Sequence, residues 1–300
     1  MMEWSTYYTE MEDLKRLQER GITTILVGEF FLATRIPVRS SWSEIHKISH
    51  CCDQLGLKLG IVMNRIFFDE DVKALQQGLE ECKKMKIHRI DYTDPAVYIE
   101  AEKLGLKSFL NYNPDTLMCN RYDVQLYLDL GIDGVVLSKE MTLEEMIQIA
   151  QHTSGSIEMI AHGRLNMAYS RRYLVSSYLD HIEKKGSVQD CQDLVLVETT
   201  RQGRMPIIED EQGTTVFTDY TLCSYREFQQ LVEAGITRFR FDNLFCPMEE
   251  FLDCLEGYQR VVKQEKAKLV EQEMKMKYPH LVLDSGYMYK KTNLIKGEKE

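Results

Sequence analysis

The feature that most constrains this chain is a rhythm. Short apolar runs bounded by turn residues alternate with helical stretches along nearly all of it. The runs fall at residues 22–27, 57–62, 87–91, 107–110, 134–137, 157–161, 194–198 and 238–241. Several are continuously apolar, which is the pattern of parallel strands covered on both faces. The stretches between them carry helix start signals. Ser41 with Glu44, Thr142 with Glu145 and Ser224 with Glu227 have capping-box spacing, in which a hydroxyl meets a free N–H and the carboxylate reaches back. Asp94-Pro95 offers an N-cap followed by proline in the first helical position. Gly21, Gly105, Gly131 and Gly235 stand where helices stop, in the left-handed position after the last turn. Over 224–234, Phe228, Leu231 and Val232 share one helical face.

Alternating strand and helix imply an α/β fold with a parallel sheet. Eight runs make a TIM-like (β/α)8 barrel the natural closure, over residues 1–260. A doubly wound sheet is the alternative, but the chain has no Gly-rich phosphate loop. Residues 180–204 interrupt the rhythm and read as an insertion around the seventh strand. One long helix is expected over 248–276, stopped by Pro279, so that 261–300 form a C-terminal helix and basic tail.

The composition, 44% hydrophobic and 28% charged over 300 residues, supports a full core and excludes bulk disorder. With a net charge of −10, the body is a poor counterion for nucleic-acid phosphates. The balance is uneven: residues 260–300 hold ten Lys/Arg against six Asp/Glu. The first residues show no secretory pattern and no apolar run nears the ~20 residues of a membrane span, so a cytoplasmic chain without membrane contact is expected. The eight cysteines form no C-x-x-C pair and read mainly as buried thiols of a reducing compartment, with Cys119 and Cys191 nearer loops. Zinc-helix and nucleophile-elbow motifs are absent, and no metal site is expected.

Chemistry concentrates in residues 158–178. An apolar run delivers Glu158, then His162-Gly163 at its C-terminal end, with Arg164, Tyr169, Ser170, Arg171 and Arg172 following. The C-terminal strand ends form the active face of a parallel barrel, which is where this places His162. The even spacing of Glu158 and His162 sets both on one face of a strand. If that face is the interior, Glu158 is a buried carboxylate in need of a partner; if not, it is an exterior ion-pair residue. Clustered arginines suit forked recognition of carboxylate or phosphate.

The block resembles the signature of the peptidase U32, or collagenase-like protease, family. In that signature a glutamate, His-Gly, a cysteine, Tyr-Ser-Gly and a second cysteine follow one another. Here they stand as Glu158, His162-Gly163, Asn166, Tyr169-Ser170-Arg171 and Tyr173, with Leu174 and Ser176-Ser177 after them. Gly28 with Arg35, Val62-Met63-Asn64, Asp94-Pro95, Leu137-Ser138-Lys139-Glu140, Thr221-Leu222-Cys223 and Arg240-Phe241-Asp242 resemble further family segments. Asn166 and Tyr173 replace two of the four cysteines that hold an iron–sulfur cluster in family members bearing one, and Leu244 replaces a family arginine.

The resemblance implies a short, cluster-less paralogue that carries no cofactor of its own. It points to tRNA uridine hydroxylation, giving 5-hydroxyuridine at the wobble position, with prephenate as co-substrate. The implied partners are a longer, cluster-bearing U32 paralogue and tRNA, bound through the complex. His162, Glu158, Tyr169 and Ser170 are the expected catalytic residues, and Arg35, Asn64, Glu140, Arg164, Arg171 and Asp242 the expected substrate-binding ones. The alternatives are a U32-type peptidase, with Ser170 and His162 as nucleophile and base, and a non-catalytic scaffold subunit.

Overall fold

The structure is a computed structural model that describes residues 2–184, 186, 188–189, 191–199 and 203–290. In chain order the strands are β1 (Glu3–Tyr7), β2 (Thr24–Glu29), β3 (Arg39–Ser40), β4 (Lys58–Met63), β5 (Arg89–Tyr92), β6 (Leu110–Tyr112), β7 (Gly134–Val136) and β8 (Ser156–Gly163). They continue with β9 (Asn166–Ser170), β10 (Val195–Val197), β11 (Arg204–Asp210), β12 (Gly213–Phe217), β13 (Thr221–Cys223), β14 (Arg238–Phe241) and β15 (Leu283–Asp284). Eight of them, β1, β2, β4, β5, β6, β7, β8 and β14, pair side by side in parallel, and β14 bonds to both β8 and β1 to close the ring. The chain is therefore a closed TIM-like α/β barrel. A helix follows each barrel strand, from Asp13–Glu19 after β1 to Met248–Val262 after β14.

Two start signals work as read. Ser41 and Thr142 each accept the N–H of the glutamate three residues on, and that glutamate's carboxylate takes their own N–H. Asp94 caps Pro95–Lys103 through the Ala96 N–H. Gly21, Gly105, Gly131 and Gly235 all adopt positive φ.

Three expectations are corrected. The run at 194–198 is not a barrel strand: β10 is the edge of a four-stranded antiparallel sheet ordered β10-β11-β12-β9. The eighth barrel strand is β1, whose polar sequence Glu3-Trp4-Ser5-Thr6-Tyr7 hides it because Glu3, Ser5 and Tyr7 meet a buried polar layer. The insertion is accordingly wider than 180–204. It runs from β9 through β12, whose four strands form an excursion sheet between β8 and β14, and part of 180–204 lies outside the described residues.

Ser224 does not cap a helix. The helix starts at Phe228, and the Ser224 hydroxyl donates to the Ala161 carbonyl at 2.9 Å. The helical stretch after 248 is divided into Met248–Val262 and Ala267–Lys277, with Gln264 in the left-handed region between them. Val270, Met274, Leu283 and Met288 join the same core as the barrel, and β15 pairs with β13. Residues 291–300 of the basic tail lie outside the described residues.

Outside the strands, the layer under Met248–Val262 is aromatic. Trp4 and Phe241 lie 4.8 Å apart by ring centroid, Phe241 and Tyr258 4.8 Å, and Phe228 and Phe239 4.4 Å. Tilted and edge-on pairs such as these add roughly 0.5–1.5 kcal/mol each to their burial. They fix the outer face of β14 and β1, and so the direction in which the inner face presents its charges.

Candidate functional site

The barrel floor is an ionic layer built by residues two apart on inward faces. Arg89 and Asp91 come from β5, Asn111 from β6, Glu158 from β8 and Arg240 from β14. Glu158 Oε2 accepts from Arg89 Nη1 at 2.6 Å and Oε1 from Arg240 Nε at 2.7 Å. Arg240 also reaches Asp91, and Asn111 Nδ2 donates to Asp91 Oδ1 at 3.0 Å. The question left open for Glu158 is thereby answered: it faces the interior. Burial pushes its carboxyl up, but Arg240 and Arg89 overcome this and hold it at about 2. Arg89 and Arg240 balance Asp91 and Glu158, and Lys58 balances Glu3, which also reaches Arg89, so the layer is neutral, the condition for burying such charges at all. Gly60 on β4 makes room for the layer, since a Cβ there would lie 2.7 Å from Leu26 Cδ2 and 3.0 Å from Arg89 Cγ.

Above this floor the C-terminal strand ends form a small mouth of about 40 Å³, lined among others by Tyr7, Arg35, Asn113, Asp115, Arg164 and Asp242. Arg35 Nη2 lies 3.5 Å from Asp115 Oδ2, and its guanidinium is 5.4 Å from the Tyr169 ring centroid. Lys139, its side chain only 4% exposed, faces Asp115 at 3.9 Å and contacts Asn166. Arg35 and Asp115 both hold left-handed backbone conformations, φ 57° and 64°. Such residues are held against their own preference by their surroundings and gather at functional loops.

Burial raises the Asp115 carboxyl, but Arg35, Lys139 and Asn166 outweigh it and the net shift is downward. Burial lowers Lys139 and Arg164. Burial likewise lifts Asp242, to about 7; the Leu244 N–H and Arg240 oppose the rise and Asp115 adds to it. A carboxyl poised there can hold or release a proton near neutral pH.

The expected site residues do not all meet in the mouth. Arg35, Asn64, Arg164 and Asp242 line it. The Asn64 amide is consumed, accepting from the Thr34 N–H and donating to the Thr34 carbonyl, both at 2.9 Å, so it clamps the loop that carries Arg35. Tyr169 sits above, under Arg35, with its hydroxyl donating to Gln212 O at 2.7 Å. Ser170 Oγ accepts the Arg172 N–H on the excursion sheet, and Arg171 stacks 3.8 Å from the Phe68 ring centroid. Glu140 follows β7 but does not line the mouth.

His162 is turned away. β8 carries a bulge against β14, so that Arg240 faces Ile160 while Phe241 faces His162. The extra residue reverses the alternation. Glu158 therefore points inward and His162 outward, 5.8 Å from the Tyr258 ring centroid, and the expected shared face is corrected. The Ala161 carbonyl that the bulge takes from the ladder accepts from Ser224 Oγ and from Tyr258 OH at 2.7 Å. His162 lines a second cavity of about 270 Å³ with Cys246, Glu250, His280 and others. Burial depresses its imidazole to about 4, leaving it neutral.

Sequence reasoning missed Tyr7, Asn113, Asp115 and Lys139. Asn113, Asp115 and Lys139 fall within five residues after the runs at 107–110 and 134–137, so the strand-end argument that found His162 reaches them as well. Among the described residues, no group of three or more His, Cys, Asp or Glu is placed to hold a metal ion. Asn166 bonds Asp115 through its amide and Tyr173 bonds the Glu211 carbonyl through its hydroxyl. Neither can supply a thiolate, so these positions do not fit an iron–sulfur cluster. No described helix is long and apolar enough to cross a membrane.

Comparison with known proteins gives a consistent picture. The family model of peptidase family U32 matches residues 9–296. The chain is 24% identical to the tRNA hydroxylation protein P2 of Bacillus subtilis (strain 168), over 95% of this chain and 96% of that one. It is 20% identical to the tRNA hydroxylation protein P1 of the same strain, over 84% of this chain but only 61% of the relative. It is also 20% identical to the 23S rRNA 5-hydroxycytidine C2501 synthase of Escherichia coli (strain K12), over 81% of this chain and 36% of that one. Among solved structures it aligns with the U32 peptidase Mk0906, at a TM-score of 0.49 and 12% identity over 81% of this chain and 92% of that one.

Proposed function

The chain belongs to peptidase family U32, and from that premise we propose that it serves in tRNA uridine hydroxylation, as a subunit acting beside a longer U32 paralogue. The observation that carries this reading is the end-to-end similarity to a tRNA hydroxylation protein of nearly the same length. A longer relative in the same bacterium, also a tRNA hydroxylation protein, supports a paired arrangement. With Asn166 and Tyr173 in place of cysteines, any cluster the system needs is assigned to the partner.

The mouth is suited to a small carboxylate. Its volume of about 40 Å³ is little more than one water's ~30 Å³, so it takes the head of a ligand rather than the whole of it. Arg35 and Arg164 supply the cationic donors there, and Lys139 stands behind Asp115. Prephenate, a dicarboxylate, is the co-substrate that fits this reading. With Asp242 poised near 7, the mouth can also exchange a proton with whatever binds.

The peptidase reading needs a nucleophile and a base within reach of each other. The Ser170 hydroxyl is engaged on the excursion sheet, whereas His162 faces Tyr258 on the far side of β8. Deleting the gene and measuring tRNA nucleosides by mass spectrometry tests the proposal. Loss of 5-hydroxyuridine is expected, and an unchanged level overturns it. Complementation with Arg164→Ala then separates a working mouth from a scaffold: a working mouth leaves the modification unrestored, a scaffold restores it.

A further inference from the structure

One sheet edge of the molecule is open and apolar. β10, Val195-Leu196-Val197, ends the excursion sheet, and among the described residues no strand pairs with its outer side. Its ladder to β11 fixes which groups face outward. Val195 pairs with Pro206 and Leu196 with Met205, so Leu194 stands opposite Ile207, and the Ile207 N–H donates to the Leu194 carbonyl at 3.0 Å. Bonded and non-bonded pairs alternate along an antiparallel ladder, so Leu196 is the next residue bonded to β11. Val195 and Val197 therefore aim their N–H and C=O groups away from the sheet.

Such an edge is a template for another strand unless proline, lysine, a bulge or a covering element blunts it. Among the described residues β10 has none of these, and its three side chains are 39%, 40% and 58% exposed in order. The opposite edge is tied down, since Asn166 on β9 bonds both Asp115 and Lys139.

A helix beside the edge is also uncovered. Leu174–His181 has no buried residue. Its start is anchored on the sheet: Glu209 of β11 accepts the N–H groups of Val175 and Ser176, and Thr214 of β12 accepts that of Leu174. Leu174, Tyr178 and, just past the helix end, Ile182 recur every four residues as one stripe, 46%, 61% and 37% exposed. Strand alternation puts Glu209, Met205 and its partner Leu196 on one face, so the helix and Leu196 share a side. The other face carries Ile208 and Asp210, which meet Leu244 and Thr34 of the barrel.

We propose that β10 pairs with β10 of a second copy of this chain, antiparallel about a two-fold axis through Leu196. The sequence suits that operation. Val195 of one copy exchanges hydrogen bonds with Val197 of the other, and the axis repeats the exchange. Leu196 meets its own mate. Further out, Leu194 stands opposite Glu198 and Asp193 opposite Thr199, so no like charges face each other. A slip of one residue sets Asp193 against Glu198 and turns the bonding groups out of register, which selects the symmetric pairing.

The axis stands perpendicular to the sheet, so both helices lie on one side of the joined sheet and flank the Leu196 pair. With whole aromatic side chains at about 150–250 Å² and aliphatic ones somewhat less, the stripe and strand expose roughly 600 Å² per chain. Two copies together reach about 1,200 Å², the lower end for a specific interface, and a dimer of about micromolar affinity is expected. Pairing also braces the sheet over the mouth, which Asn166 of β9 and Phe217 of β12 line.

The test is sedimentation of the full chain across a concentration series, where a monomer–dimer equilibrium is expected. Val197→Pro removes an outward N–H and leaves the bonds to β11 in place, and is expected to weaken the dimer at least about tenfold with an unchanged circular dichroism spectrum. Leu196→Lys sets like charges across the axis and is expected to do the same. Leu196→Cys places two thiols on Cα atoms about 4.5 Å apart, within disulfide reach. Mild oxidation is then expected to link two chains through that position by peptide mass spectrometry, with no such link in the wild-type chain. A monomer at about 100 μM, far above a micromolar constant, or a dimer that survives both Val197→Pro and Leu196→Lys, overturns the proposal. So does a chain that is monomeric alone and engages this edge only when a longer U32 paralogue is added.

Discussion

Asp242 and His162 oppose one another in acid, and the opposition can be unmasked by single substitutions. Burial lifts the Asp242 carboxyl to about 7, against roughly 3.9 in an unfolded chain. The folded state thus keeps a proton that the unfolded state gives up, and stability falls as pH rises from about 4 through about 7. The full penalty is at most about 4 kcal/mol at ~1.36 kcal/mol per unit, and less because the side chain is only half-buried. Burial drives His162 the other way, to about 4 from an unfolded value of roughly 6.5. The unfolded state therefore takes up a proton that the folded state refuses, and stability falls as pH drops from about 6.5 toward about 4.

Between about pH 8 and pH 5 the wild-type chain gains up to about 3 kcal/mol from Asp242 and loses about 2 kcal/mol through His162, so the two nearly cancel. Asp242→Asn leaves only the histidine, and the variant is expected to lose about 2 kcal/mol over that range. His162→Gln leaves only the aspartate, and the variant is expected to gain up to about 3 kcal/mol. Urea unfolding at several pH values, extrapolated linearly, reads these slopes. The range stays above the window of Glu158, whose carboxyl at about 2 affects stability only below its unfolded value. Equal pH slopes for the wild-type chain and both variants would refute the burial argument for this pair.

Glu158→Leu strands Arg89 and Arg240 in the barrel floor and is expected to cost about 3–5 kcal/mol in urea unfolding. A loss under 1 kcal/mol would mean that the floor is hydrated. Gly60→Ala places a methyl against Leu26 and Arg89 and is expected to lower stability by about 1–3 kcal/mol; a neutral thermal melt would show that Arg89 can move aside. Ser170→Ala should restore tRNA hydroxylation fully when it complements the deletion, because among the described residues that hydroxyl accepts a local backbone bond and faces no base; loss of 5-hydroxyuridine would reinstate it as a reacting group.

Much of the barrel was legible from local patterns. Ser41, Thr142 and Asp94 act as caps because capping involves residues two or three apart, which sequence shows directly. Ser224 carries the same pattern yet spends its hydroxyl on Ala161, sixty-three residues earlier, to satisfy a carbonyl freed by a bulge. β1 escaped notice for a related reason. Its inward residues are polar because they meet Glu158, Arg89 and Arg240, which arrive from other strands, so no apolar run marks it.

The site divides along the same line. Its placement at the C-terminal strand ends follows from strand direction, and with it the roles of Arg35, Arg164 and Asp242 as lining residues. By itself the sequence determined a parallel barrel, the helix starts at Ser41, Asp94 and Thr142 and the strand ends that carry chemistry, because hydrophobic period and capping are short-range properties. Only the tertiary structure decided that Glu158 points in while His162 points out, since one residue of bulge inverts the face and the partner strand sets the register. Closure of the ring then joins β8 to β14 across the whole excursion sheet, and this long-range pairing creates the wall of Arg164 and Asp242 that separates the mouth from the cavity beneath His162.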